Sequence, residues 1–392
     1  LSGATLAVGF VPLVDAAPLI VAQEMGFASE EGIELDLQRA ASWSQVRDML
    51  VLGRVEAAHM LSPVPVAMAL GLGGMATPLS AVSVLSVNGD VIGVSGAVAE
   101  RMRAAGYRFD FADATAAGRA LIAAARGRLR LGVPFPFSMH SELIYYWLSA
   151  LGLPAPQEVD IRTVPPPLMA RAIAADEIDA FCVGEPWGSI AVETGVGELL
   201  LPGNAIWAFA PEKVLAVRTD WAEDAPVLLG QLMRAVWRAG RWLGQPDSHT
   251  VASEILARSE YLDMPAEVID RAMTGRLTIS ASGGERHVPG FVEFHRGAAN
   301  FPWRSQAAWI ARQLAARTGL DRDEAARLAR QVFRTDLYRR MLRDTGAELP
   351  GASEKLEGAV ETDIAVASVS GRLFLRRDRF FDGRIFDPSA PD

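Results

Sequence analysis

Three donors stand where an open α/β sheet would hold a small anion. Gly184 follows the apolar run Asp179–Val183, which has the form of a buried parallel strand, and the segment after it opens a further helix. Ligands of open α/β sheets sit at such strand ends, where helix N-termini offer free N–H groups. In that reading Gly184 touches a small anion with its backbone and Glu185–Trp187 build the wall; the same spacing also reads as a tight turn between two elements. His140 follows Pro134–Ser138 (PFPFS) in the loop of a strand-to-helix switch. There its imidazole either faces a cleft or packs against the helix start. Lys213 follows Pro211-Glu212 and precedes the apolar strand KVLAVR. An ammonium at that point donates a charge-assisted hydrogen bond to an anion, or else it points to solvent from an edge. Trp43 and Met60 end a loop and a strand further upstream, and read as apolar walls or as core.

Spacings that signal catalysis are missing. The five histidines are His59, His140, His249, His287 and His295; none pairs at i, i+4, and there is no HExxH. Neither a GxSxG elbow nor a GxxxxGK[ST] loop occurs. The glycines at 71, 73 and 74 follow a helical pattern and read as its stop. Cys182 is the only cysteine and lies inside an apolar run, so it reads as a small core residue. The expectation is a binding protein, not an enzyme, with no cofactor and no metal. A net charge of −9 argues against direct nucleic-acid or anionic-membrane binding, and no apolar stretch reaches membrane-spanning length.

The elements that must position these donors form two β-α-β sets. The first runs through strands at 5–11, 33–38, 56–60 and 81–87, with helices at 18–25, 43–52 and 63–72. Ser42 and Gln45 make a capping box for the second helix, and Pro18 and Pro63 sit in first turns, where a missing N–H costs nothing. Asn88-Gly89 breaks the pattern. The second set carries strands at 91–94, 129–133, 159–164 and 179–183, and helices at 98–106, 113–125, 141–151 and from Met169. The three prolines at 165–167 fix a rigid turn before that last helix. A strand at 213–218 and a helix at 225–243 follow. Helical patterns continue at 250–257, 265–274, 305–317, 323–332 and 337–344, and the Arg-, Asp- and Phe-rich stretch 376–392 reads as a wrapping tail.

This repetition predicts parallel sheets with covering helices. One α/β unit inserted into another is the topology of a two-lobed binding protein, whose ligand lies in the cleft and whose closure is a hinge motion. The expected division is lobe 1 over 1–88, lobe 2 over 89–205, and a return to lobe 1 with a largely helical extension over 206–392.

ASWSQVRD at 41–48, VPPPLM at 164–169, FCVGEPW at 181–187, PEK at 211–213, NFPWRSQAAW at 300–309 and FDP at 386–388 resemble the nitrate- and bicarbonate-binding proteins of ABC transporters. The resemblance covers nearly the whole chain. It implies a two-lobed periplasmic-binding-protein fold of type II with the anion between the lobes. It also implies nitrate contacts at His140, Gly184 and Lys213. In the family, lysine at the position of Lys213 goes with nitrate, whereas bicarbonate members use an acidic residue with a metal. Where nitrate transporter proteins carry a Gln-Trp pair before Pro-x-Pro, this chain has His59-Met60, so Met60 stands for the tryptophan. The family's glutamine contact falls near Asn88. Ala58-His59-Met60 and the lack of a leader before the first strand resemble the cytoplasmic branch. Those members sense nitrate and nitrite and hold an RNA-binding antiterminator partner inactive until the ligand binds. The expectation is therefore a cytoplasmic nitrate/nitrite sensor. The alternatives are an extracytoplasmic component working with an ABC transporter permease, its export signal trimmed, and an enzyme of the thiamine-precursor or sulfonate neighbourhood.

Overall fold

A computed structural model describes residues 3–391. Leu1 and Ser2 of the expected first lobe and Asp392 of the expected tail lie outside the described residues. The first unit runs β1 (Ala4–Phe10), α1 (Ala17–Glu24), α2 (Phe27–Glu30), β2 (Ile33–Arg39), α3 (Trp43–Val51), β3 (Ala57–Leu61), α4 (Pro63–Ala69) and β4 (Leu79–Asn88). Ser42 caps α3 by accepting the Gln45 N–H at 3.2 Å, and the Gln45 side chain accepts the Ala41 N–H at 2.7 Å. Every residue of β3 and β4 is buried, as suits central strands covered on both faces. α4 is shorter than its apolar pattern suggests. Gly71 and Gly73 adopt left-handed φ of 75° and 81°, so the chain turns out of the helix there.

The second unit comprises β5 (Asp90–Ser95), α5 (Gly96–Ala104), α6 (Ala114–Ala124), β6 (Arg130–Val133), α7 (Met139–Ala150), β7 (Asp160–Thr163), α8 (Met169–Ala174), β8 (Ala180–Gly184), α9 (Trp187–Glu193) and β9 (Gly197–Pro202). The chain returns through β10 (Pro211–Arg218), α10 (Thr219–Asp224), α11 (Pro226–Leu243), α12 (His249–Leu256) and α13 (Ala266–Thr274). A hairpin of β11 (Arg276–Thr278) and β12 (Glu285–His287) and the short β13 (Val292–Glu293) follow. The extension holds α14 (Arg304–Thr318), α15 (Arg322–Ala329), α16 (Thr335–Leu342) and the hairpin β14 (Ile364–Ala365)–β15 (Phe374–Leu375).

Besides the two hairpins, two large sheets form among the described residues, ordered β13-β4-β10-β3-β1-β2 and β7-β6-β8-β5-β9. Neither is wholly parallel, which corrects the sequence expectation. β10 runs antiparallel to both β3 and β4, and β5 runs antiparallel to β8 and β9. β5 is the first strand the chain lays down in the second sheet and β10 the first after it returns to the first sheet, and a chain crossing between sheets arrives from the opposite direction. The crossovers are tied side by side. The Asn88 side-chain N–H groups donate to the carbonyls of Ala208 (2.8 Å) and Gly290 (3.2 Å), and its amide oxygen accepts from the Ala210 N–H (3.0 Å).

Candidate functional site

Antiparallel insertion puts the start of β10 and the start of β5 beside the carboxyl ends of the parallel strands. That is where the titratable side chains converge. Asp15 enters from the turn after β1, His59 from β3, Asp90 from the first position of β5, His140 from the first turn of α7, and Glu212 and Lys213 from β10. All six are buried, none more than 3% exposed. The pairing of β10 with β4 is irregular between Pro211 and Lys213, so strict alternation fails there and both Glu212 and Lys213 reach the cluster.

Lys213 is the hub. Its ammonium lies 2.8 Å from Asp15 Oδ2, 2.9 Å from Glu212 Oε1 and 5.4 Å from the centre of the Trp43 ring. It is not the edge lysine that strand position alone allowed. His59 Nε2 bonds Asp15 Oδ1 at 2.7 Å while its Nδ1 accepts the Val11 N–H at 3.3 Å, and its ring lies 5.0 Å from that of Trp43. His140 Nε2 lies 2.9 Å from Asp90 Oδ1 and 3.5 Å from Glu212 Oε1. The Trp43 indole N–H and the Ser86 hydroxyl are buried without a hydrogen-bond partner; both oxygens of Asp90, Glu212 Oε2 and the His140 ring nitrogens also make no bond of good geometry, although His140 Nε2 lies close to Asp90. Buried polar groups in that state are costly unless a ligand satisfies them.

The electrostatics split the cluster in two. Burial alone would raise Asp15, but the Lys213 ammonium and the His59 hydrogen bond hold it well below the usual carboxylate range. Burial opposes the charge on Lys213, yet the carboxylates of Asp15, Glu212 and Asp90 keep it protonated above the ordinary lysine range. Asp15 and Lys213 therefore cancel. On the other side, burial pushes Asp90 up to about 6 and, with the Asp90 charge added, Glu212 up to about 8. Burial lowers His140 to about 4 and also lowers His59, so both imidazoles are neutral near pH 7. One proton is then shared between Asp90 and Glu212.

The expected site residues divide by position. Trp43, His140 and Lys213 belong to the cluster or its wall, and Gly184 adjoins it: a Cβ built on Gly184 would lie 3.6 Å from Asp15 Oδ2 and 3.7 Å from Asp90 Oδ1. His140 sits inside the first turn of α7, not in the preceding loop, because Ser138 caps the helix by accepting the Ser141 N–H at 3.1 Å. Met60 is turned away. It follows His59 on β3, and successive strand side chains face opposite sides. Asn88 also stands apart, since both ends of its amide are used in tying the crossovers and its φ of 60° directs it there. Asp15, Asp90 and Glu212 were not among the expected residues. They lie far apart in the chain, so no spacing betrays them. The only local hints are the Asn88-Gly89-Asp90 break and the acid directly before Lys213.

Asp90, His140 and Glu212 also place one ligand atom each within 4.8 Å of the others. Two carboxylates and an imidazole suit a divalent cation, so these residues could hold a metal even though no sequence spacing announced one. Glu185 is not part of this group. Its carboxylate accepts the Ser189 N–H at 3.2 Å in the first turn of α9, and burial raises it to about 7. Cys182 is buried, and burial raises its thiol well above the usual range, away from reactivity.

Gly184 gives a direct test of cleft fit. A Cβ there would lie 2.5 Å from the buried Leu13 Cδ2, so Leu13 must move. Gly184→Ala is expected to lower stability by about 1–3 kcal/mol, the cost of overpacking, and to weaken ligand binding. Thermal melts and calorimetric titration measure the two effects.

A family profile described as the NMT1-like family matches residues 2–257. The nitrate/nitrite binding protein NrtA of Nostoc sp. PCC 7120 is 29% identical over 98% of this chain and 83% of its own length. The nitrate import ATP-binding protein NrtC of Synechococcus elongatus is 32% identical over 99% of this chain and 54% of its own length. The crystal structure of the periplasmic nitrate-binding protein NrtA from Synechocystis PCC 6803 superposes with a TM-score of 0.84 at 26% identity, covering 98% of this chain and 96% of that one.

Proposed function

The chain belongs to the NMT1-like family, and on that premise we propose that it binds nitrate or nitrite in the interlobe cleft. The observation that carries this reading is Lys213, a fully buried ammonium between Asp15 and Trp43 with unpartnered donors around it. Nitrate is a planar monoanion whose oxygens each accept hydrogen bonds. The ammonium, the Trp43 N–H and a His140 N–H suit it. The names of the relatives, a nitrate/nitrite binding protein and a nitrate import component, support a binding protein over an enzyme.

We further propose that the chain is a cytoplasmic sensor: ligand closes the lobes, and closure alters the surface offered to an antiterminator partner. The resemblance at Ala58-His59-Met60 supports this role. A component of an ABC importer, working outside the cytoplasm, is the alternative, and the named relatives favour it at least as much. Among the described residues no helix is long and apolar enough to cross a membrane. Co-purification with an antiterminator that nitrate releases would carry the sensor role. An association insensitive to nitrate would remove it.

The triad Asp90, His140 and Glu212 favours one second reading, an oxyanion such as bicarbonate held with a divalent cation. Calorimetry with nitrate, nitrite and bicarbonate, each with and without calcium, separates the two. Cation-independent binding of nitrate or nitrite is the expected result. Binding of bicarbonate only with calcium would sink the nitrate reading.

A further inference from the structure

The extension after the second sheet does not hang from one lobe. Its helix α14 packs on α4 of the first lobe and reaches the second through its last turn. There the Arg317 guanidinium donates to both carboxylate oxygens of Glu142 on α7, at 2.7 and 2.5 Å, and covers the Tyr145 ring at 4.8 Å. Glu142 is 1% exposed and Arg317 18%, so this is a largely desolvated bidentate pair and not a surface bridge. One turn further along α7 the Tyr146 hydroxyl donates to Asp382 at 2.7 Å, and its ring lies against Trp309 and Phe380. The same tail is held at the crossover between the lobes, where the Trp207 indole N–H donates to Asp378 at 2.7 Å.

His140 and Glu142 are two residues apart on one helix, about 200° around its axis. The first turn of α7 thus presents one side chain to the cleft cluster and the other to the extension. A displacement of that turn moves the His140 imidazole relative to Lys213, which sits on the other lobe's strand.

We propose that Arg317 is a positioning residue for the ligand: through Glu142 it fixes the first turn of α7, and so sets both the place of His140 and the closed arrangement of the lobes. This rests on the reading of the cleft as a nitrate or nitrite site, and it makes the C-terminal extension part of the binding mechanism. Occupancy of the cleft and the seating of residues 304–391 are then coupled through α7, by the Arg317–Glu142 ion pair first and the Tyr146–Asp382 hydrogen bond second.

The test compares wild type with Arg317→Met, which keeps the stem, and Arg317→Lys, which keeps the charge. Far-UV circular dichroism and melting establish that each is folded at the working temperature. Nitrate calorimetry is expected to give at least tenfold weaker binding for Arg317→Met and no more than about threefold for Arg317→Lys. By small-angle scattering, ligand-free Arg317→Met is expected to have a larger radius of gyration than ligand-free wild type. A folded Arg317→Met with wild-type nitrate affinity overturns the proposal. If Arg317→Met does not fold, Tyr146→Phe and Asp382→Asn take its place, with a severalfold loss expected and wild-type affinity in both again overturning it. If wild type itself binds neither nitrate nor nitrite, the nitrate reading has failed. The positioning role is then judged on the ligand-free radius alone, and an unchanged radius ends it.

Discussion

Lys213→Met is expected to abolish most nitrate binding and to destabilise the fold at the same time. Deleting the ammonium removes the charge-assisted bond to the anion, a loss of roughly 1.5–3 kcal/mol in affinity. It also strands Asp15, whose ionised state rests on Lys213 at 2.8 Å and His59 at 2.7 Å. Leaving a buried charge without its partner costs about 3–5 kcal/mol of stability. The two losses come from different atoms and can be separated. Adding Asp15→Asn to Lys213→Met removes the stranded charge, so stability is expected to return while nitrate affinity does not. Denaturant titration reads the first and calorimetry the second. A Lys213→Met protein that binds nitrate as wild type does would exclude the ammonium from the site.

The second large effect is a pH dependence of unusual sign for a protein that binds an anion through a lysine. Lys213 stays protonated across the accessible range, so the lysine itself contributes no pH dependence. Asp90, near 6, and Glu212, near 8, are the groups that change charge. An anion beside them favours their protonated forms, so binding takes up protons. Nitrate affinity is therefore expected to rise as pH falls from about 8 to about 6, by at most about tenfold per unit for each proton taken up. Asp90→Asn removes the repelling carboxylate. It is expected to bind nitrate more tightly at pH 8, on the order of tenfold, and to flatten the profile. The bicarbonate-with-cation reading requires the opposite on both counts, since a cation needs ionised carboxylates: affinity rising with pH, and loss of binding in Asp90→Asn.

Stability follows the same protons. Both carboxyls have folded values above their unfolded ones, so between about pH 4 and 8 the folded state holds the extra protons. Below about pH 6.5 the buried His140 and His59 act in the opposite sense, because burial lowers both and the unfolded state then holds their protons. Ligand-free stability should therefore fall as pH rises from about 6.5 to 8, where Glu212 loses its proton; melting in buffers across that range measures the slope, and Glu212→Gln should reduce it.

The sequence by itself determined most of the long helices and the strands of the two sheets except β9 and β13, the two-lobed plan and the family. Capping at Ser42, prolines in first turns, runs at 56–60 and 179–183 and the break at Asn88-Gly89 are local signals, and local signals are what periodicity and turn chemistry encode. They also led to Trp43, His140, Gly184 and Lys213, each at an element end beside a recognisable motif. Strand direction was not legible. β5 and β10 are antiparallel insertions because each begins where the chain has just crossed from one sheet to the other, and a single strand's residues do not record which neighbour it meets. Only the tertiary structure decided the company around Lys213. Asp15, Asp90 and Glu212 come from three strand ends far apart in the chain, and their burial together turns ordinary carboxylates into one paired and two proton-holding groups. Met60 and Asn88 stand apart from the cluster for the same reason. Which face a strand residue takes, and which carbonyls an amide reaches, depend on register and crossover geometry, and these are properties of the packed fold, not of the segment.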